Sequence, residues 1–186
     1  MKHLQWLIIA VLSLTMAPVF AVTGDINAFL GQKSLNSNDW APVDDQIEIG
    51  VLSDIRGDSW PISFAADLLV STDKADMPGP DITGSTLELD IGVRKVFDIP
   101  GMVMHPYVGG GPALISASRE YDYGSYKMTD DDSGAGYWVS GGIYWTIATH
   151  YNLGLDVRHS KADVDLFGTT RNAGGNHAGI IFGYQW

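Results

Sequence analysis

From position 22 onward one pattern recurs along the chain: an apolar residue at every second position, with a small or charged residue between. In 85–96, Leu87, Leu89, Ile91 and Val93 alternate with Glu88, Asp90, Gly92 and Arg94. In 151–160, Tyr151, Leu153, Leu155 and Val157 alternate with Asn152, Gly154, Asp156 and Arg158. Successive side chains of an extended strand point to opposite faces, so each segment predicts a strand with one apolar and one polar face. The same reading applies to 61–70, where Phe64, Leu68 and Val70 oppose Ser63 and Asp67. It applies to 136–147, where Tyr137, Val139 and Trp145 oppose Ser140 and Tyr144, and to the final segment 177–186, where Ile180, Phe182, Tyr184 and Trp186 oppose His177, Gly179 and Gln185. Weaker alternation at 25–33 and 46–54, and a version interrupted by Gly and Pro at 104–118, bring the predicted total to eight strands.

The links between these strands alternate in length. "RGDSW", "DIPGM" and "ATHY" are short turns, whereas 34–43, 72–84, 119–134 and 164–175 are longer and polar. Tight turns on one side and long loops on the other suit strands that thread a membrane. Period-2 alternation alone fits both a soluble sandwich or lipocalin-like barrel with an oily interior and a membrane barrel with an oily exterior. Three features favour the second. Charges of both signs sit at mid-strand, where they could neutralise one another in a narrow lumen. Aromatics gather at strand ends, at Trp60, Tyr107, Tyr137, Trp145, Tyr151, Tyr184 and Trp186, as in an interfacial girdle. Glycines on the polar face would let a small bore close around the larger side chains. The fold class expected is therefore all-β: an eight-stranded antiparallel up-and-down transmembrane β-barrel.

Composition narrows the function. Beyond the N-terminus no run approaches the roughly 18 apolar residues of a membrane helix. The 22 glycines sit inside apolar runs, where they disfavour helix. A formal net charge of −11 argues against nucleic acid or anionic lipid as a direct electrostatic partner. The absence of cysteine excludes disulfides and thiolate metal sites. Residues 1–21 combine a basic start at Lys2, an apolar stretch and small or aliphatic residues at Val19 and Ala21, the pattern of a secretory signal peptide cleaved after Ala21. The barrel domain is then 22–186.

"PYVGGGPAL", "LGLDVRHSKADVDLFG" and "GGNHAGIIFGYQW" resemble segments of the small eight-stranded outer-membrane barrels of the OmpA, OmpX and opacity-protein type. The resemblance spans 23–186 and implies a place in the bacterial outer membrane among lipid and lipopolysaccharide. It also implies that Phe182, Tyr184 and Trp186 form the C-terminal signal read by the barrel-insertion machinery, with Trp186 where that family most often has phenylalanine. The family includes structural barrels, adhesins and a few enzymes, so the fold leaves activity open.

The candidate site is a lumen charge network of Glu48, Asp67, Glu88, Asp90, Arg94, Asp156 and Arg158. It reads as a mutually neutralising plug, because about eight strands leave a bore filled by side chains. The competing reading is a narrow pore or a conduit for small hydrophobic molecules. A third, a lipid A-modifying enzyme, rests on "RHSK" at 158–161, but adjacent His159 and Ser160 point to opposite faces and cannot act together. His159 and Lys161 fit an outer rim facing lipopolysaccharide phosphates. The acids of 129–133 lack the spaced ligands and glycine of a calcium loop and read as a solvated acidic loop. His105, His150 and His177 show no metal-ligand spacing. No catalytic residue, metal or cofactor is expected. The role anticipated is structural or surface-interacting, with acidic extracellular loops that could engage an external ligand.

Overall fold

The computed structural model describes residues 22–186, and the expected leader lies outside them. The strands are β1 (Val22–Leu35), β2 (Asp45–Gly57), β3 (Ser63–Ala75), β4 (Asp81–Val96), β5 (Met104–Asp122), β6 (Lys127–Ile147), β7 (Tyr151–Leu166), β8 (Thr169–Asn172) and β9 (Gly175–Gln185); one short helix, α1 (Ser37–Trp40), follows β1. β1 to β7 pair in order, β7 pairs with β9, and β9 pairs with β1, giving a closed antiparallel ring of eight strands. β8 stands outside the ring and pairs only with the last residues of β7.

The terminal segment "HAGIIFGYQW" makes the closure. Its strand's partners on β1 run from Asp25↔Gln185 to Leu35↔Gly175, so neither first nor last strand leaves an open edge. The backbone of Trp186 exchanges both hydrogen bonds with Gly24, at 3.0 and 3.2 Å.

The faces follow parity. Leu155 is 51% exposed and its neighbour Asp156 1%. Ile49, Phe64, Leu114, Val157 and Phe182 also face outward, whereas Glu48, Ala65, Ala113, Arg158 and Ile181 face inward. Trp145, Tyr151, Tyr184 and Trp186 lie outside near the end that carries both termini, and Tyr151 meets Tyr184 edge to face at 5.9 Å. One expected girdle member departs from this set: Tyr107 is buried in the lumen, where its hydroxyl donates to Asp156 at 2.6 Å. Its strand keeps one alternation throughout, with Tyr107, Ala113, Ile115 and Ala117 all inward, although three glycines and Pro112 lie between them.

The ladder between β4 and β5 is nonetheless interrupted here, for a local reason. Pro112 has no N–H to give to a ladder, and the β4–β5 pairing skips from Asp90↔Ala113 to Val93↔Gly110. There the two backbones crowd together: a Cβ at Gly111 would lie 2.2 Å from the Ile91 carbonyl oxygen, and one at Gly92 2.3 Å from that of Gly110. The Ile91 carbonyl instead accepts from the indole Nε1 of Trp138, at 3.2 Å. Trp138, wholly buried, thus lies across the glycines inside the barrel.

Three of the four long links prove to be mostly strand. β3 with β4, and β5 with β6, continue as hairpins to short tips at 76–80 and 123–126. The acids at 130–132 are therefore on β6 and not in a loop. Asp130 accepts from the N–H of Phe167, at 2.5 Å, and Asp132 from that of Asp165, at 2.7 Å. The two carboxylates stand two residues apart on one face and take over the ladder where β6 and β7 no longer pair. The N–H groups of Asp165 and Ser133 hold Asp132 below the usual carboxylate range.

Only the first long link folds as a loop. Asn36 caps α1 by accepting from the N–H of Asn38 at 3.0 Å. The helix drops Trp40, followed by Val43, into the far mouth of the barrel, where both are fully buried against Leu35, Ile115, Val164 and Leu166. The indole of Trp40 donates to the Asn172 carbonyl at 2.7 Å. Arg119 donates to the carbonyls of Asp39 and Ala41, both at 2.9 Å, and Arg171 to that of Asp39. Two cations thus satisfy the open carbonyls at the helix C-terminus.

A charge placed on the outer face at mid-height must enter hydrocarbon. Leu155→Arg is expected to lower the unfolding free energy in phospholipid vesicles by about 2–4 kcal/mol, measured by equilibrium urea titration. A loss below about 0.5 kcal/mol, the size of an ordinary surface change, would contradict the outward placement.

Candidate functional site: an ion-pair network inside the barrel

All seven residues of the expected charge network lie inside the ring and are buried. Arg158 is the hub. Its Nη1 donates to Asp90 at 2.6 Å, its Nη2 to Asp67 at 2.9 Å and its Nε to Asp156 at 3.3 Å. Arg94 donates to the same Asp67 oxygen at 2.7 Å and to Asp54 at 3.1 Å. The guanidinium of Arg158 also lies 5.3 Å from the Trp138 ring centre, and that of Arg94 5.2 Å from the Tyr107 ring centre. The two inward aromatics therefore hold the planes of both arginines as well as filling space.

Parity explains why these groups meet. β3, β4 and β7 each turn alternate residues inward, so Asp67, Asp90 and Arg94, and Asp156 and Arg158, project from different parts of the wall to a common centre. Asp67 and Asp90 are direct partners across β3 and β4. Like charges placed so repel unless a cation lies between them, and Arg158 supplies it.

A second cluster continues toward the far end. Lys33 Nζ donates to Glu88 at 2.8 Å and to Thr86 at 3.1 Å, with both charges fully enclosed. Thr86 shares a hydrogen with Ser71 at 2.7 Å, and Ser71 donates to Gln46 at 2.5 Å. Glu48 binds His177 through Nδ1 at 2.8 Å, and His177 Nε2 lies 3.1 Å from the hydroxyl of Ser160. Glu48 and Glu88, part of one expected network, thus join a different set of partners from the aspartates.

Sequence reasoning missed Asp54, Lys33, Ser160 and His177 as members. Lys33 and His177 are direct partners across the β1–β9 seam, a relation invisible until the first and last strands are brought together. Ser160, His177 and Glu48 are connected in the order of a hydrolase triad. Three facts speak against nucleophilic chemistry. None of the three is more than 2% exposed. The Ser160 hydroxyl also lies 3.0 Å from Glu88 as donor, and its single hydrogen cannot serve Glu88 and His177 together. A carboxylate beside the serine would also oppose an oxyanion forming there. His159 faces outward, with its ring 2.9 Å from the Asn176 side chain, so the pair in "RHSK" is split across the wall as its adjacency predicts.

Beside the charges, Phe29, Leu52, Leu69 and Ile181 fill the lumen with apolar volume. Trp40, Val43, Ile115 and Trp138 belong to a second apolar cluster on the far side. At the opposite end, by the termini, a cavity of about 150 Å³ opens between Asp25, Asp54, Asp98 and Tyr144. No metal-binding cluster of three His, Cys, Asp or Glu groups occurs among the described residues.

Truncating the hub leaves three buried carboxylates without their cation. Arg158→Leu is expected to destabilise the folded barrel by about 3–5 kcal/mol, read from urea midpoints in detergent. A change under about 1 kcal/mol would show that the ion pairs contribute nothing to the fold.

No family model and no curated protein sequence matches the chain. Its fold does match solved structures. Ail, the attachment invasion locus protein of Yersinia pestis, superposes with a TM-score of 0.61 at 10% identity, over 90% of this chain and 100% of that one. Neisserial surface protein A gives 0.54 at 14% identity, over 88% and 94%. A major outer membrane protein from Thermus thermophilus gives 0.59 at 10% identity, over 90% and 99%. The chain has the fold of the small eight-stranded outer-membrane β-barrels.

Proposed function

We propose that this chain is a non-enzymatic barrel of the bacterial outer membrane, with a structural or surface-interacting role and a lumen plugged by its own paired charges. The observation that carries this reading is the continuous set of contacts from Asp54 through Arg94, Asp67 and Arg158 to Asp90 and Asp156. An ion crossing the bore would have to displace these partners one after another. Trp40 and Val43 in the far mouth support the same reading.

The termini and the three short turns face the periplasm, and the long hairpins face outward. Outside, Tyr123 stacks on Tyr126 at 4.7 Å at the tip of the β5–β6 hairpin, and both rings are exposed. Such a tip suits contact with another surface. Ail, similar in fold, is known in complex with a heparin analogue, sucrose octasulfate. A polyanion of that kind fits this chain poorly, because its net charge is −11. A neutral or cationic surface partner fits better. Lys161 on the outward face of β7 suits lipopolysaccharide phosphate, and Phe182, Tyr184 and Trp186 suit recognition by the insertion machinery.

The pore reading and the enzyme reading each make a distinct demand. In planar bilayers the purified barrel is expected to give no reproducible conductance steps. Regular steps that change size in Arg158→Leu would replace the plug with a pore. The serine is expected to resist a fluorophosphonate probe in the folded barrel, and labelling that disappears in Ser160→Ala would make the protein an enzyme.

A further inference from the structure

The cavity at the terminal end has an electrostatic problem that the described residues solve only in part. Asp25 on β1 and Asp54 on β2 are direct cross-strand partners, both turned inward and both at least 94% buried. Two carboxylates in that relation repel unless something positive lies between them. Arg94 reaches one of them, through Asp54 Oδ2 at 3.1 Å. Among the described residues, the one hydrogen bond to the Asp25 carboxylate is from the Asn27 amide to Oδ1, at 2.5 Å. Within the same residues, Asp25 Oδ2 and Asp54 Oδ1 have no hydrogen-bond partner, and both aspartates line the cavity.

The rest of the cavity indicates which cation fits. Its rim charges are already engaged: Asp98 lies 3.0 Å from His105 Nδ1 and 3.7 Å from Arg56. Its walls also include Thr23, Ser63, Val96, Tyr144 and Gln185, of which Val96 and the Tyr144 ring suit methylene groups and a cation over a ring. Tyr144 is held in place by His105, stacked on it at 5.0 Å. A volume of about 150 Å³ has room for several waters, or for a short alkyl chain ending in a charged nitrogen.

We propose that this cavity binds a primary alkylammonium group, with its N–H bonds directed to the free oxygens of Asp25 and Asp54 and its carbon chain against Val96 and Tyr144. The group is that of a small free amine or of an amine-bearing lipid headgroup. In the orientation proposed above, the mouth opens to the periplasm. The site adjoins the plug at Asp54, and the assignment goes beyond the structural role.

The test uses the full chain folded in a neutral maltoside detergent, with folding verified by heat-modifiable migration. Ethylammonium chloride is titrated at constant ionic strength against tetramethylammonium, which carries the charge without N–H donors, and against sodium. Ethylammonium is expected to raise the thermal midpoint saturably, and the other two to leave it unchanged. Asp25→Asn is expected to weaken the effect roughly ten- to hundredfold, as for the loss of a charge-assisted hydrogen bond. It should itself be at least as stable as the parent, because the opposed charges are relieved. Asp98→Asn at the rim should retain binding. Equal responses to sodium or tetramethylammonium, or an undiminished response in Asp25→Asn, would overturn the proposal. If that variant does not fold, saturation-transfer NMR on the parent decides: transfer from the aromatic protons to the ethylammonium methylene supports the site, and none overturns it. Micelles doped with phosphatidylethanolamine separate the sources: a midpoint rise there without added amine identifies the headgroup, and its absence the free amine.

Discussion

A sheet whose outer face meets hydrocarbon can leave no backbone N–H or carbonyl unpaired on that side, and closure of β9 on β1 is the step that meets this demand. Other features follow from it. Once the ring closes on eight strands, the interior is too narrow for bulk water and must be filled by side chains. Because successive residues alternate, whatever is not oily in each strand is committed to that interior. The chain therefore puts its charges inside because they cannot face lipid.

The consequence is a core of unusual composition. Lys33, Glu48, Glu88, Asp90 and Arg158 are among the most deeply buried groups, at 0–3% exposure. Each isolated charge there would cost several kcal/mol to desolvate, so each has a partner within 3.3 Å. Arginine suits the hub because its fixed fork reaches three carboxylates from one position, as Arg158 does with Asp67, Asp90 and Asp156. Trp138 and Tyr107, placed beside glycines that leave room for their rings, set the height of the two guanidinium groups. Packing and electrostatics are thus joined in the same residues.

The alternation in 85–96 or 151–160 is local, and it suffices to place Leu155 outside and Asp156 inside. What is not legible depends on distant pairs. Glu48 and His177 are 129 positions apart, and only strand register across the closing seam brings them together. Tyr107 reads as an outer residue because strand-end aromatics usually are; Gly109 to Gly111 and Pro112 hide the period in the sequence, and burial of the ring against Arg94 decides the matter. Polar composition also disguises strand as loop: 119–134 reads as solvated, yet beyond the membrane both faces of a hairpin can be wet, so no apolar stripe remains to mark it. Trp40 in the first loop carries no periodic signal at all, since a single anchor in the mouth needs none.

Orientation is the property on which the fold stands: the oily face of every strand meets lipid while the charged face is enclosed. Since the chain has no native cysteine, single cysteines report unambiguously. Spin labels at Leu89→Cys, Val157→Cys and Phe182→Cys in phospholipid vesicles should collide readily with oxygen and poorly with a nickel chelate, whereas Ala65→Cys should resist thiol reagents until the barrel is unfolded. Ready labelling at position 65 together with nickel access at 157 would invert the barrel and contradict the account.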